Sequence, residues 1–372
     1  MIIAYPETAP SPGGAVFYSS PKSANFTSMN TRILIIILAT LCLVSCGPRG
    51  GRTQSTVGEP SAPELLPAAA PDTVMIRIIG DVMLHTGQIE VARARARTIK
   101  SIREFEFTPF LDSIAPALRE ADLAIAGMEF TLGGEPYTGY PAFSAPDLYA
   151  EYVADCGVDV FLTANNHIID RGLKGLKRTL WYYGLMESEG RIRYTGCAEP
   201  GDTLHNPLLV RVKDQTIGIV NFTYGTNRYP EIADYTICWQ NDAVIPLIEK
   251  ARERGADFVL VCPHWGDEYQ LKHNALQEKW AVRLAQAGAD AIIGAHPHVV
   301  QDAANITTTD GRKVPVYYSI GNAVSNMSAP NTQDELMITL LISEGKLVGI
   351  SHSWLHCHLP GQLTDSYTTV FM

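Results

Sequence analysis

The sequence predicts an α/β fold, a layered sandwich of mixed β-sheets flanked by helices. Three observations lead there. From Thr73 onward, short runs rich in apolar and β-branched residues alternate with helix-like segments, the pattern of strands buried between layers. The last part of the chain, at residues 336–342 and 347–353, reads instead as two consecutive strands, an antiparallel finish to a sheet. With 372 residues, 46% apolar and 18% charged, the chain can bury a sizeable core.

At the N-terminus, residues 1–28 carry no periodic pattern. Met29-Asn30-Thr31-Arg32 forms a short basic region directly before an apolar run at residues 33–44, so residues 1–28 are expected to be a start-site artefact. That run of 12 residues is too short to span a bilayer as a mature helix. Followed by Ser45-Cys46-Gly47, it makes residues 29–45 read as a secretory signal peptide. Leu43-Val44-Ser45-Cys46 resembles the lipobox of bacterial lipoproteins. The resemblance implies acylation of Cys46 and an exported chain anchored to the cell envelope by lipid. Gly47 is not the aspartate that marks inner-membrane retention, so the outer membrane is expected in a diderm cell. Residues 46–72, rich in Gly, Pro, Ser and Ala, read as a tether.

A single domain is expected over residues 73–372. Strands are expected at residues 74–79, 123–126, 158–163, 216–221, 258–262, 291–293 and 314–318, and helices at 109–121, 146–156, 172–184, 241–255 and 274–288. The last helix has Leu276, Trp280, Leu284 and Ala287 on one face, Asn274 as N-cap and Gly288 as its stop. Past Cys46, the cysteines Cys156, Cys197, Cys238, Cys262 and Cys357 are odd in number and form no CxxC pair. Buried thiols are expected, with a disulfide left open and no thiolate metal site. The 29 basic and 39 acidic residues give a net charge of −10, which argues against nucleic acid as a partner and against electrostatic docking on an anionic membrane.

In an α/β fold, functional groups collect beyond the carboxyl ends of the strands. Five strand ends here carry ligand-type residues: Asp81, Glu129, Asn165-Asn166-His167, His264, and His296 with His298. Carboxylate, imidazole and amide oxygen together suit Zn, Mn, Fe or Co. A bridging carboxylate with four or five further ligands is the composition of a two-metal hydrolytic centre. Pro297 is expected to hold His296 extended, so that His296 and His298 turn to one side. Asp170 can orient the His167 imidazole by a hydrogen bond. Each piece also has an ordinary reading, as turn former or helix cap, and the case rests on their convergence. His85, His205, His273, His352, His356 and His358 carry no such signal.

Several segments together resemble the capsule-synthesis CapA family, also called the poly-γ-glutamate capsule biosynthesis family, of the calcineurin-like metallophosphoesterase superfamily. They are Ile79-Gly80-Asp81-Val82-Met83-Leu84, Glu129 with Phe143-Ser144-Ala145-Pro146, and Ala164-Asn165-Asn166-His167 with Asp170 and Gly172. His264-Trp265-Gly266 with Glu268-Tyr269, Gly294-Ala295-His296-Pro297-His298 and Tyr318-Ser319-Ile320-Gly321-Asn322 complete the set. The resemblance implies a metallophosphoesterase-like fold and one or two divalent ions, Mn, Zn or Fe, held by Asp81, Glu129, Asn166, His264, His296 and His298, with Glu129 as the bridge. It places His167 near the leaving group, with Asp170 beside it. The superfamily pattern has histidine where Met83 stands and aspartate where Glu129 stands, so the first ion lacks a ligand unless His85 or water supplies it.

The implied activity is metal-dependent hydrolysis of a phosphoester or amide in capsule or poly-γ-glutamate-type envelope polymer synthesis. The alternative is a non-catalytic protein that binds or tethers an anionic polymer within a capsule synthesis complex. Polymer contact would then need bound cations or a basic patch, for which Arg171, Lys174, Lys177 and Arg178 are candidates, although they also read as a solvated helix face. A solute-binding lipoprotein shares the anchor and tether but leaves the histidines unexplained.

Overall fold

β1 (Val74–Val82) runs through the middle of the first sheet and shows how the sequence divides between layers. Successive side chains point to opposite faces. Val74, Ile76 and Ile78 enter an apolar layer shared with Ile217, Ile219, Phe258 and Leu260 of a second sheet. Ile79 and Val82 join a different cluster on the other face. Arg77 donates to the carbonyl of Ala117 and pairs with Glu120 at 2.9 Å. The structure, a computed structural model, describes residues 72–200, 206–227, 235–236 and 243–372.

The first sheet runs β14 (Thr368–Phe371), β13 (Lys346–His358), β12 (Asp334–Ser343), β1, β2 (Leu123–Met128), β3 (Val160–Leu162) and β4 (Arg193–Thr195), with β11 (Asn322–Val324) beside the end of β1. β1 to β4 are parallel, and β12 to β14 supply the expected antiparallel finish. The second sheet runs β5 (Leu208–Val212), β6 (Gln215–Thr223), β7 (Phe258–His264), β8 (Ala291–Ile293), β10 (Lys313–Tyr317) and β9 (Ala303–Thr307). Its four inner strands are parallel and its two edge strands antiparallel.

α1 (Thr86–Thr98), α2 (Ala115–Glu120), α3 (Asp147–Asp155) and α4 (Gly172–Ser188) lie on the outer face of the first sheet. α5 (Val244–Glu253) and α6 (Ala275–Gln286) cover the second. The layers are therefore helix, sheet, sheet, helix, the sandwich the sequence predicts. Fully burying one Ile or Phe is worth about 1.5–3 kcal/mol, so the isoleucine-rich layer between the sheets fixes one sheet against the other. That matters for function, because the parallel strands of both sheets deliver their carboxyl ends to one rim.

Local differences from the sequence reading have physical causes. The helix expected at 109–121 is only α2, because Pro116 has no N–H and is accommodated only in a first turn. α1 lies outside the expected helices: its buried stripe is Gln88, Ile89, Ala92 and Ala96, too small and polar to stand out. In α6 the Asn274 side chain accepts from Leu276 and Gln277 N–H at 3.0 and 2.8 Å, and Gly288 adopts φ +114° after the helix, both as expected. Leu276, however, is exposed. Four-residue steps drift by about 40° around a helix, and the buried face passes instead through Gln277, Trp280, Ala281, Leu284 and Ala285.

Cys156, Cys262 and Cys357 are buried free thiols. The expected signal peptide at 29–45, the expected acylation site Cys46, the expected tether up to residue 71, His205 and Cys238 all lie outside the described residues. Among the described residues, no helix is long and apolar enough to cross a membrane.

Candidate metal centre

Asp81 lies near the end of β1, where pairing passes from β12 to β11 and sets Asp81 opposite Asn322. Next to it, a Cβ on Gly127 would stand 2.8 Å from Asp81 Oδ1, so only glycine leaves room for that carboxylate. Asp81 Oδ2 accepts the N–H of His296 at 2.9 Å, while Oδ1 is buried without a partner. Glu129 follows β2, is fully buried, and has no hydrogen-bond partner on either carboxylate oxygen.

Three histidines surround this pair. His264, which ends β7, has Nε2 2.7 Å from Asn166 Oδ1 and 3.7 Å from Glu129 Oε1, and its Nδ1 is 3.6 Å from Asp81 Oδ1. His298 Nδ1 lies 3.8 Å from Glu129 Oε2 and 3.0 Å from Asn322 Oδ1. His296 packs its ring 4.8 Å from that of His264, and its Nδ1 is buried without a partner. Ligand atoms of Glu129, His264 and His296, and of Asp81, Glu129 and His298, lie within 4.8 Å of one another. The structure thus brings together Asp81, Glu129, Asn166, His264, His296 and His298.

The route taken by two of them differs from the expected one. His296 is not extended: its φ is +101° and that of His298 is +60°. Such left-handed backbone at non-glycine residues costs about 1–3 kcal/mol each and persists where surrounding structure over-determines it. Here Asp81 holds the His296 N–H, which fixes the turn and outweighs the usual effect of Pro297.

Electrostatics sharpen the picture. Burial, partly offset by His298, pushes the Asp81 carboxyl up to about 6, and burial beside Asp81 pushes Glu129 well above the carboxylate range. Burial and neighbouring imidazoles hold His264 and His296 well below the ordinary histidine value, and burial lowers His298. Two buried carboxylates side by side are costly when ionised, and unpartnered buried acceptors add desolvation cost. A divalent cation relieves both at once. Asp81 Oδ1, both oxygens of Glu129 and His296 Nδ1 are the donor atoms such an ion needs, so these residues fit one.

His167 borders the cluster, with Nε2 4.0 Å from Glu129 Oε1. Its Nδ1 is 2.7 Å from Asp170 Oδ2, which also accepts the N–H of Phe143 at 2.9 Å. Asp170 therefore orients the imidazole rather than capping α4. The Phe143 ring stands edge-on at 4.7 Å, and Asn165 Oδ1 accepts the His167 N–H at 3.0 Å.

Other expectations resolve differently. His85 precedes α1, with Nδ1 3.1 Å from Gln88 Oε1 and 3.3 Å from the backbone nitrogen of Asn326, and Met83 packs in the core, so neither joins the converging groups. Arg178 forms a two-pronged pair with Asp147, at 2.7 and 2.8 Å, and Arg171 donates to Pro136 and Thr138. Those two hold the fold; Lys174 and Lys177 are exposed. His273, His352 and His356 meet Asp302, Tyr317 and Asp334 away from the cluster.

The sequence reading missed Asn322, Asn227 and Glu268 as site residues. Asn227 places Nδ2 3.3 Å from His167 Nε2. Asn322, which begins β11, and Glu268 lie in segments that carry the family resemblance, but no role is assigned to either there. Glu268 is exposed, yet its carboxylate lies within 4.8 Å of ligand atoms of His296 and His298.

The family model for the bacterial capsule synthesis protein PGA_cap matches residues 75–327, more than half of the chain and all the cluster residues named above. Capsule biosynthesis protein CapA of Bacillus anthracis is 26% identical over 284 residues, 72% of this chain and 63% of that protein. PGA biosynthesis protein CapA of Bacillus subtilis strain 168 is 29% identical over 199 residues, 50% of this chain and 47% of that protein. The chain thus spans less than two thirds of the length of either relative. Among solved structures, a hypothetical protein from Thermus thermophilus is 18% identical, with a TM-score of 0.44 over 76% of this chain and 98% of that one. Calcineurin-like phosphoesterase YfkN from Bacillus subtilis is 13% identical, with a TM-score of 0.43 over 76% and 90%.

Proposed function

The chain belongs to the bacterial capsule synthesis protein family, and on that premise we propose that it is a metal-dependent hydrolase acting in the assembly of a capsule or poly-γ-glutamate-type envelope polymer. The bond cleaved is a phosphoester or an amide. The observation that carries this reading is the set of buried, unpartnered acceptors on Asp81, Glu129 and His296, gathered at the carboxyl ends of strands from both sheets.

Asp81, Glu129, Asn166 and the three histidines would hold one or two divalent ions. A cation there supplies Lewis acidity to a phosphoryl or carbonyl oxygen and acidifies water near neutral pH. The chain's own residues do the rest. Asn166 Oδ1 lies 2.7 Å from His264 Nε2, so these two ligand atoms are held side by side. Asp170 accepts from Nδ1 of His167, which leaves Nε2 to carry a proton toward the departing group. Phe143, fully buried against the His167 ring, keeps water from that side.

The test is hydrolysis of phosphodiester and γ-glutamyl peptide substrates with and without added Mn. Turnover on one class that requires Mn, and that falls at least 100-fold in His296→Ala, is expected, since removing even an outer partner of a ligand costs about 10–100-fold. Metal-independent turnover, or none on either class, would contradict the reading.

We further propose that the chain is exported and held at the envelope by lipid on Cys46. Metabolic labelling with a fatty acid is expected to mark the wild-type chain and not Cys46→Ser. Equal labelling of both, or of neither, would remove the anchor from the account.

A further inference from the structure

We propose that Tyr140 and Tyr269 form a sugar-binding subsite at the solvent side of the cluster, where their exposed rings pack against a neutral pyranose ring of the substrate. This rests on the function proposed above and deepens it, by naming the group that the scissile phosphoester carries.

Among the described residues only two tyrosines are exposed, Tyr140 by 70% and Tyr269 by 44%, and both border the cluster. The Tyr140 ring stands 6.2 Å from that of His167, and the Tyr269 ring 6.1 Å from that of His298. Those two histidines approach different oxygens of one carboxylate, His167 at 4.0 Å from Glu129 Oε1 and His298 at 3.8 Å from Oε2. The two exposed rings therefore flank Glu129. A third ring, half-buried Tyr224, lies 4.6 Å from that of His296.

Both exposed rings are carried on fixed backbone. Tyr140 lies in a turn closed by two backbone hydrogen bonds between Thr138 and Ser144, at 3.1 and 2.7 Å. Arg171 donates to the Pro136 carbonyl and the Thr138 hydroxyl at the start of that turn. Gly139 packs so closely on the neighbouring loop that a Cβ there would stand 2.2 Å from the Thr86 nitrogen. Tyr269 adopts φ +65° and donates its N–H to the carbonyl of Pro297, between His296 and His298, at 2.8 Å. Left-handed backbone at a non-glycine residue is costly and collects at ligand clamps. A ring fixed in advance loses little freedom when a ligand packs on it.

The chemistry of the rim selects the ligand. A pyranose presents a face of C–H bonds and an edge of hydroxyls, which a tyrosine meets with an apolar ring and a polar tip. Charge argues against a polyanion. Burial pushes the Tyr269 hydroxyl up, and Glu268, Tyr140 and Glu129 push it further. Burial, with Glu129 and Glu268, likewise brings Tyr224 up to about 12. Glu268 is exposed, so a carboxylate-rich chain laid along these rings meets like charge, on a protein of net charge −10. An uncharged sugar meets none.

The experiment is saturation-transfer NMR on the full-length chain with glucose 1-phosphate, methyl phosphate and γ-glutamyl-glutamate as probes, in wild type, Tyr140→Ala, Tyr269→Ala and Tyr269→Phe. Transfer to the sugar ring protons is expected in wild type, with the dissociation constant raised about 10-fold in each alanine variant and kept in Tyr269→Phe, which retains the ring. The dipeptide is expected to bind wild type at least about 10-fold more weakly than the sugar phosphate. No transfer to the sugar ring, equal binding in the alanine variants, a loss in Tyr269→Phe as large as in Tyr269→Ala, an equal loss for methyl phosphate, or tighter binding of the dipeptide would each overturn the subsite. The readout needs no turnover. Sugar binding without metal-dependent hydrolysis would remove the proposed function and keep the subsite, and hydrolysis without sugar binding would do the reverse.

Discussion

Glu129→Gln is expected to raise the melting temperature of the metal-free protein and to remove the gain that wild type shows when a divalent cation is added. Both effects follow from one side chain. Glu129 is fully buried with neither oxygen hydrogen-bonded, and burial beside Asp81 pushes its carboxyl far up. A folded-state value above the unfolded one means stability that is present at low pH and lost as pH rises through the folded value. At neutral pH the metal-free protein carries that cost, and a neutral carboxamide of nearly the same shape avoids it. In wild type a bound cation offsets it, adding about 2.7 kcal/mol at a free concentration one hundred times the dissociation constant. For a domain of this size that is about 5 °C in melting temperature. The wild-type gain should also shrink as pH falls below about 6, where protons compete for Asp81. Melting curves of both proteins, with and without Mn²⁺, check this. A variant that melts lower than wild type without metal, or that keeps the metal-induced gain, would contradict it.

His167→Gln is expected to lower kcat by about 10²- to 10⁴-fold, the usual worth of a positioned acid or base, while leaving bound metal unchanged. His167 touches the cluster only at 4.0 Å from Glu129, and its other nitrogen is bonded to Asp170. A ligand role would make metal content fall along with rate. Asp170→Asn tests the orientation of the ring: it keeps the Phe143 contact possible but can turn the imidazole to the wrong tautomer. Its loss of rate should carry a changed pH profile, which a merely structural defect would not give. Substrates with good leaving groups, which need no protonation, should lose far less in both variants. Equal losses on good and poor leaving groups would sink the assignment of His167 as the proton donor.

Much of this centre was legible in the sequence for a topological reason. Parallel strands present their carboxyl ends on one side, so Asp81, Glu129, Asn166, His264, His296 and His298 could be gathered from strand ends without knowing any distance. Which strands belong to which sheet of the expected sandwich was not legible, since it depends on the packing of Ile76 and Ile78 against Ile219 and Phe258. Asn322 reaches the site only because β11 replaces β12 beside Asp81, a pairing across more than 200 residues of chain. The placement of Glu268 and the turning of His296 and His298 depend on left-handed backbone at non-glycine residues, which local propensity opposes. α1 escaped for a quieter reason, an apolar stripe built from alanine and one isoleucine.

The most direct measurement is the metal content of the full-length protein, purified without chelator, determined by elemental analysis in wild type and in His264→Ala. The account predicts a divalent transition metal bound to wild type and largely lost from the variant, with circular dichroism showing that both are folded. Wild type with no transition metal above background, even after dialysis against Mn²⁺ or Zn²⁺, would contradict it.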